Sequence, residues 1–279
     1  PTRRSSDLAA FGDGTLYLER YISNARHIEV QVLADRHGNV IHLGERDCSL
    51  QRRHQKLVEE APAPNITEDL RQQIRSAGVM LAKGFGYENA GTVEFIVDQD
   101  AQAFYFLEMN TRIQVEHPVT EMVTGIDLVQ EQMRIARGER LRFDQEDVQF
   151  RGHAIEVRIN AEEVSEGFRP SPGLITEWEP PAGPNIRLDS HCYAGYKVPI
   201  FYDSMIGKLI VYGTDRSEAR ERMSRALHLF KVEGVATTIC LQHFLINQPR
   251  FASGEVNTRL VEEVLPQLVD SGVTRSISH

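Results

Sequence analysis

FYFLEMNTRIQVEHPVTE, residues 104–121, places Glu108, Asn110, Arg112, Gln114 and Glu116 at every second position, with Met109, Thr111, Ile113 and Val115 between them. Period two is the side-chain repeat of a strand, so the stretch reads as a strand with one polar face. Alternation alone more often marks an amphipathic strand whose polar face is solvated. That reading fits poorly here, because the lead-in is aromatic and the polar face mixes both signs of charge with two amides. Glu108 and Asn110 fall about 7 Å apart on one face. Glu94, in GTVEF (91–95), can face them from a neighbouring strand. Two carboxylates and an amide oxygen are hard donors suited to Mg2+ or Mn2+, especially where phosphates complete the shell. Arg112 and Gln114 offer donors for a small planar anion. Glu116, beyond them, is a candidate base.

Outward from this stretch, hairpins and helices mix without βαβ alternation, which predicts an α+β fold. LYLERYI (16–22) and RHIEVQVLAD (26–35) alternate as strands, and HGN (37–39) turns the chain into a returning strand, VIHLGERD (40–47). APAPN (61–65) breaks the pattern. Thr67 then caps a helix with Leu70, Ile74, Ala77 and Leu81 on its apolar face, closed by Gly84. Residues 91–98 and 103–110 form a second hairpin, and a helix over 126–137 ends at Gly138. The charged stretch 139–150 reads as a loop. Beyond it lie strands at 153–162 and 204–213, a helix from Ser217 to about Phe230, and helices near 238–247 and 257–268.

The second cluster is QRRHQK (51–56), followed by Glu59 and Glu60. Such a run is commonly a solvated basic loop. In a chain of net charge −9 it can also serve an anionic substrate such as a nucleotide phosphate. HAIEVRINAE (153–162) sets Glu156, Arg158 and Asn160 on one face, where a structural ion pair is as good a reading as a functional one. His27 reads equally well as a satisfied core histidine. With a net charge of −9 nothing suggests a nucleic-acid scaffold, and no apolar run approaches the about 20 residues of a membrane span. Cys48, Cys192 and Cys240 have no metal or redox spacing, which points to a reducing, cytoplasmic compartment. PTRRSSDL (1–8) is what a common sequencing-adapter string encodes in one frame, so these residues are expected to be foreign, with the native gene beginning upstream, or else a disordered tail.

With EMNTRIQVEHPVTE, ERDCSLQRRHQKLVEEAPAP, GTVEF and HAIEVRINAE taken together, the chain resembles biotin carboxylase, the ATP-grasp component of biotin-dependent carboxylases, from about residue 9 to about 265. It is most like the bacterial acetyl-CoA carboxylase subunits. The resemblance implies a partial ATP-grasp domain over 9–138, lacking the family's amino-terminal domain and glycine-rich lid. It implies a biotin carboxylase C-terminal domain over 150–265 and a tail over 266–279. It also implies residue roles: Glu19, Ile22, His27, Gln51 and His54 toward ATP; Glu94, Glu108 and Asn110 as ligands of two Mg2+ or Mn2+ ions, with Glu94 and Glu108 also on the ATP side. Lys56, Arg112, Gln114 and the Val115 backbone match the bicarbonate site, Glu116 the base, and Arg158 the residue facing biotin. Tyr202 and Asp203 border the biotin pocket. The implied partners are a biotin carboxyl carrier protein, since no biotin-attachment motif is present, carboxyltransferase subunits, and a second copy in a full-length homodimer. The rivals are another ATP-grasp ligase and a non-catalytic assembly module.

Overall fold

In the computed structural model, which describes residues 20–272, one antiparallel sheet of eight strands carries both halves of the chain. PTRRSSDL and Glu19 lie outside the described residues. Of the strand expected over 16–22, only 20–22 are described, and they are not strand.

The first half contributes β1 (Ala25–Ala34), β2 (Val40–Arg52), β3 (Gln55–Ala61), helix α1 (Glu68–Gly84), β4 (Asn89–Asp98), β5 (Ala103–Asn110), and helices α2 (His117–Thr124) and α3 (Leu128–Ala136). The second contributes β6 (His153–Asn160), the short strands β7 (Glu162–Glu163), β8 (Arg169–Pro170), β9 (Gly173–Leu174) and β10 (Glu177–Glu179), then β11 (Ile186–Asp189), β12 (Lys197–Val198) and β13 (Met205–Gly213). Helix α4 (Arg216–Leu229), β14 (Lys231–Glu233) and helices α5 (Ile239–Ile246), α6 (Pro249–Ser253) and α7 (Leu260–Asp270) complete it. The sheet order is β11-β13-β6-β3-β2-β1-β4-β5. The α+β expectation holds. The connection at 139–150 does not divide the sheet, because β3 pairs with β6, matching Glu59 with Glu156 and Val58 with Val157.

Local chemistry accounts for the elements that the sequence made plain. Thr67 Oγ1 accepts from the Leu70 N–H at 3.3 Å and caps α1, which buries Leu70 and Ile74 against the Ile28, Val30 and Val93 side of the sheet. Gly78 lets that helix sit close, since a Cβ there would meet Val30 Cγ1 at 2.9 Å. The larger apolar cluster lies under β6 and β13, where α4, α5 and α7 cover Ile155, Val157, Leu209 and Val211, with Leu50, Leu57 and Val58 joining from the first half.

Three expectations need correction. QRRHQK is not a loop: β2 runs on to Arg52 and β3 begins at Gln55, with Arg53 (φ 48°) and His54 (φ 66°) as a two-residue turn. Both turn residues take the left-handed conformation of a tight hairpin without the usual Asn-Gly signature. The polar alternation of 108–116 does not stay strand. A bulge sets Glu94 opposite Glu108 and Phe95 opposite Phe106, the strand ends at Asn110, and residues 111–116 are irregular before α2. Pro118, without an N–H for a ladder, suits the first turn of that helix instead. The strand β11 at 186–189 and the helix α6 had no reading in the sequence. Finally, α7 runs to Asp270, five residues into the expected tail. No helix among the described residues is long and apolar enough to cross a membrane.

Candidate active site

A cleft of about 790 Å3 opens on the face of the sheet carrying His27, Lys56, Glu94, Glu108 and Arg158. Its floor is a cross-strand row of charge. In register, Arg46 on β2 stands opposite Glu29 on β1, Glu29 opposite Glu94 on β4, and Glu94 opposite Glu108 on β5. Adjacent carboxylates on one face repel unless cations interleave. Here they do. Lys56 Nζ donates to Glu29 Oε2 at 2.5 Å, to Glu116 Oε1 at 2.7 Å and to Glu94 Oε1 at 3.0 Å. Burial works to raise the Glu29 carboxyl, but Arg46 and Lys56 outweigh it and hold it at about 2. Burial is likewise overcome at Glu94, held at about 2 by His27, whose Nε2 is 2.7 Å away, and by Lys56. Burial disfavours the Lys56 cation, yet Glu29 and its neighbours raise it above the ordinary lysine range.

At the β2 end of this row, Arg46 is fully buried and fully engaged. It donates to Glu29 Oε1 (2.5 Å), Gln31 Oε1 (2.8 Å), Thr120 Oγ1 (3.0 Å), Thr92 Oγ1 (3.2 Å) and Gln114 Oε1 (3.0 Å). Gln114 passes this hold on, its Nε2 donating to Glu94 Oε1 at 2.6 Å. The irregular segment 111–116 is thereby tied to the sheet. Lys208 on β13 adds a second tie, donating to the Val115 carbonyl at 2.7 Å.

Glu116 closes the cleft where the two halves meet. Its Oε2 accepts from Arg158 Nη2 at 2.9 Å, so the carboxylate has Lys56 on one oxygen and Arg158 on the other. Glu116 is 2 % exposed. At the opposite end, Asn110 Nδ2 lies 2.9 Å from Glu108 Oε1 and 3.1 Å from Glu94 Oε1. Turning this amide over presents Oδ1 beside two carboxylates, a hard-oxygen set that fits a divalent cation.

The structure therefore brings together His27, Gln51, His54, Lys56, Glu94, Glu108, Asn110, Arg112, Gln114, Val115, Glu116 and Arg158 around one cleft. Arg112 lines it as an exposed side chain whose Nη1 donates to its neighbour's carbonyl, Ile113 O, at 3.2 Å, apart from Glu116. His54 sits exposed on the hairpin turn, and Asp203 reaches the rim. Tyr202 lines an adjoining 660 Å3 hollow with Arg53 and Phe168. Ile22 is half-buried and not among the lining residues. The sequence reading missed Glu29, Arg46, Glu59 and Lys208. Period two in HIEVQV puts Glu29 on the face of His27, and that signal would have found it. Arg46 gave none, sitting in a run of three charges, Glu45–Asp47, all buried.

Comparison with known proteins follows this geometry. Residues 2–144 match the family described as carbamoyl-phosphate synthase L chain, ATP binding domain, and residues 156–263 match the biotin carboxylase C-terminal domain. The chain is 56% identical over 256 residues to a biotin carboxylase of Nostoc sp., covering 92% of this chain and 57% of that protein. It is also 56% identical over 255 residues to a pyruvate carboxylase subunit of Methanothermobacter thermautotrophicus, covering 91% and 52%. The solved biotin carboxylase domain dimer of Hydrogenobacter thermophilus 2-oxoglutarate carboxylase, in complex with MgADP, ADP and bicarbonate, superposes with a TM-score of 0.90 at 50% identity, over 96% of this chain and 58% of that one. The chain thus spans about half the length of the curated relatives it matches.

Proposed function

The chain belongs to the biotin carboxylase family, and we propose on that basis that within its complete protein it carboxylates biotin on a carrier protein, using MgATP and bicarbonate, through carboxyphosphate. Residues 9–138 serve as the ATP-grasp part and 150–265 as the C-terminal domain. The observation that carries the reading is Glu116 held between Lys56 (2.7 Å) and Arg158 (2.9 Å), a base and two cations drawn from both halves of the chain.

Bicarbonate enters among Lys56, Arg112, Gln114 and the Val115 backbone, where positive donors suit a planar anion. It competes with Glu116 for Lys56 and so frees the Oε1 that takes its proton. The carbonate formed attacks the γ-phosphorus of ATP, ADP leaves, and the carboxyphosphate breaks down to CO2 and phosphate. Phosphate then takes the ureido N–H proton of biotin, Arg158 faces the ureido oxygen as negative charge develops there, and the freed nitrogen bonds the carbon of CO2 to give carboxybiotin. Divalent cations held by Glu94, Glu108 and Asn110 supply neutralisation of the transferring phosphoryl group. His27, Gln51 and His54 face the nucleotide, and Glu19 and Ile22 take the adenine contacts that the family resemblance implies. This is the first half-reaction of an acetyl-CoA (acyl-CoA) carboxylase, the second following on carboxyltransferase subunits after transfer through the biotin carboxyl carrier protein. The full-length protein works as a homodimer in the cytoplasm.

The test is bicarbonate-dependent ATP hydrolysis with free biotin, measured on the full-length protein and its Glu116→Gln variant. The variant should keep MgADP affinity and lose turnover by about 10²-fold or more, the scale of a lost general base. Near-normal turnover removes Glu116 as the base.

A further inference from the structure

Behind Arg158 the sheet carries two acids that the chemistry above leaves unused. Glu59 on β3 and Glu156 on β6 are directly opposed in register, and neither has any solvent exposure. Glu59 Oε1 accepts from Arg158 Nε at 2.6 Å, while its Oε2 has no hydrogen-bond partner. Neither carboxyl oxygen of Glu156 has one either. A buried carboxylate without hydrogen bonds is strongly disfavoured, and two facing carboxylates repel, so such a pair retains a proton.

The surrounding charges do not remove the need for it. Arg158 lies two residues beyond Glu156 on β6, and Lys208 on β13 stands opposite Arg158. Glu116 at the start of α2, Lys56 on β3 and the Cys48 thiol on β2 complete the set that acts on the pair. Lys208 Nζ is committed to the Val115 carbonyl. Burial, with the charge on Glu116, pushes the Glu59 carboxyl up to about 7 against the pull of Arg158. Burial and the facing Glu59 push Glu156 well above the ordinary carboxyl range.

Resting on the carboxylation reading above, we propose that Glu59 is a positioning residue for Arg158, and that, with Glu156 kept neutral opposite it, a second buried proton on Glu59 decides how far the Arg158 charge is neutralised. Glu59 grips the guanidinium through Nε, while Nη2 reaches Glu116 at the cleft. With the proton in place, Glu116 alone offsets Arg158. When the proton is lost to solvent, ionised Glu59 offsets it too, and the field at the ureido oxygen weakens. Use of biotin therefore falls as pH rises through about 7, and the bicarbonate step, farther away at Lys56, falls less.

Two measurements on the full-length protein test this. The first compares biotin-dependent with biotin-independent ATP hydrolysis across pH. Glu59→Ala, which loses the acceptor, should lower the biotin-dependent rate by about tenfold or more, the scale of a misplaced reacting group, and the biotin-independent rate by less. Glu59→Gln keeps an oxygen for Arg158 Nε. It should restore most of the rate but abolish the decline across neutral pH. The second measurement is infrared difference spectroscopy, which reads the protonated carboxyl directly and needs no turnover. A band that titrates near neutral pH in the wild type, and is altered by Glu59→Gln and by Glu156→Gln, is the expected result. Wild-type biotin kinetics and pH profile in both Glu59 variants overturn the positioning role. Absence of a titrating carboxyl band, or one indifferent to both glutamine substitutions, overturns the buried proton on Glu59. A wild-type protein inert toward bicarbonate and ATP overturns the carboxylation reading and the positioning role with it, and the infrared band still decides the proton.

Discussion

Lys56→Met removes the cation on which three carboxylates converge, keeping the length of the side chain. Lys56 is 12 % exposed, and Glu29 and Glu116 are 0 % and 2 % exposed, so solvent cannot replace it. At 2.5–3.0 Å and an effective dielectric of about 20, each attraction amounts to about 6 kcal/mol before desolvation is counted. Desolvation of the ammonium takes back most of that. Breaking a buried pair by removing one partner leaves a net loss of about 3–5 kcal/mol. For a chain of this size that corresponds to a fall of about 10 °C in Tm. The loss should also depend on pH with a definite sign. Glu29 and Glu94 are held at about 2, below the ordinary 4.5, partly by Lys56. A lowered carboxyl stabilises the fold above 4.5, and the contribution disappears as pH falls toward 2. The gap between wild type and Lys56→Met should therefore be full at neutral pH and close as the buffer is made acidic. Urea denaturation of both proteins along a pH series measures it. A variant as stable as wild type at neutral pH, or a deficit that does not change with pH, refutes the claim that Lys56 holds this cluster together.

Glu108→Gln should weaken divalent-cation and nucleotide binding together, because the oxygen set with Glu94 and Asn110 loses a charge. Titration calorimetry with Mg2+ and MgADP would show both affinities falling, and an unchanged Mg2+ affinity would remove Glu108 from the metal site. Gly234→Ala should destabilise by about 2 kcal/mol or more, since φ is +95° and the new Cβ would collide with the Leu174 carbonyl oxygen. A thermal melt within about a degree of wild type would contradict the geometry.

The residues that line the cleft were legible in the sequence because they stand out as residue types at short spacing. Glu94, Glu108, Asn110, Glu116 and Arg158 stood out by alternation or by resemblance, and all meet in one cleft. The helix capped by Thr67 and the hairpin of β4 and β5 were equally plain, since caps, turns and periodicity are local. Reading residues 111–116 as more strand failed for a nonlocal reason. Alternation continues in the sequence, but the segment leaves the sheet, and Arg46 and Lys208 capture it from strands far away in the chain. The hairpin at Arg53–His54 was illegible because those residues accept left-handed backbone only where paired strands hold them there. Tertiary structure alone decided that β3 pairs with β6. That pairing runs one sheet through both halves, sets Arg158 against Glu116, and buries Glu59 opposite Glu156. Register between strands about a hundred residues apart is chosen by the global packing of the sheet, and no short window of sequence contains it.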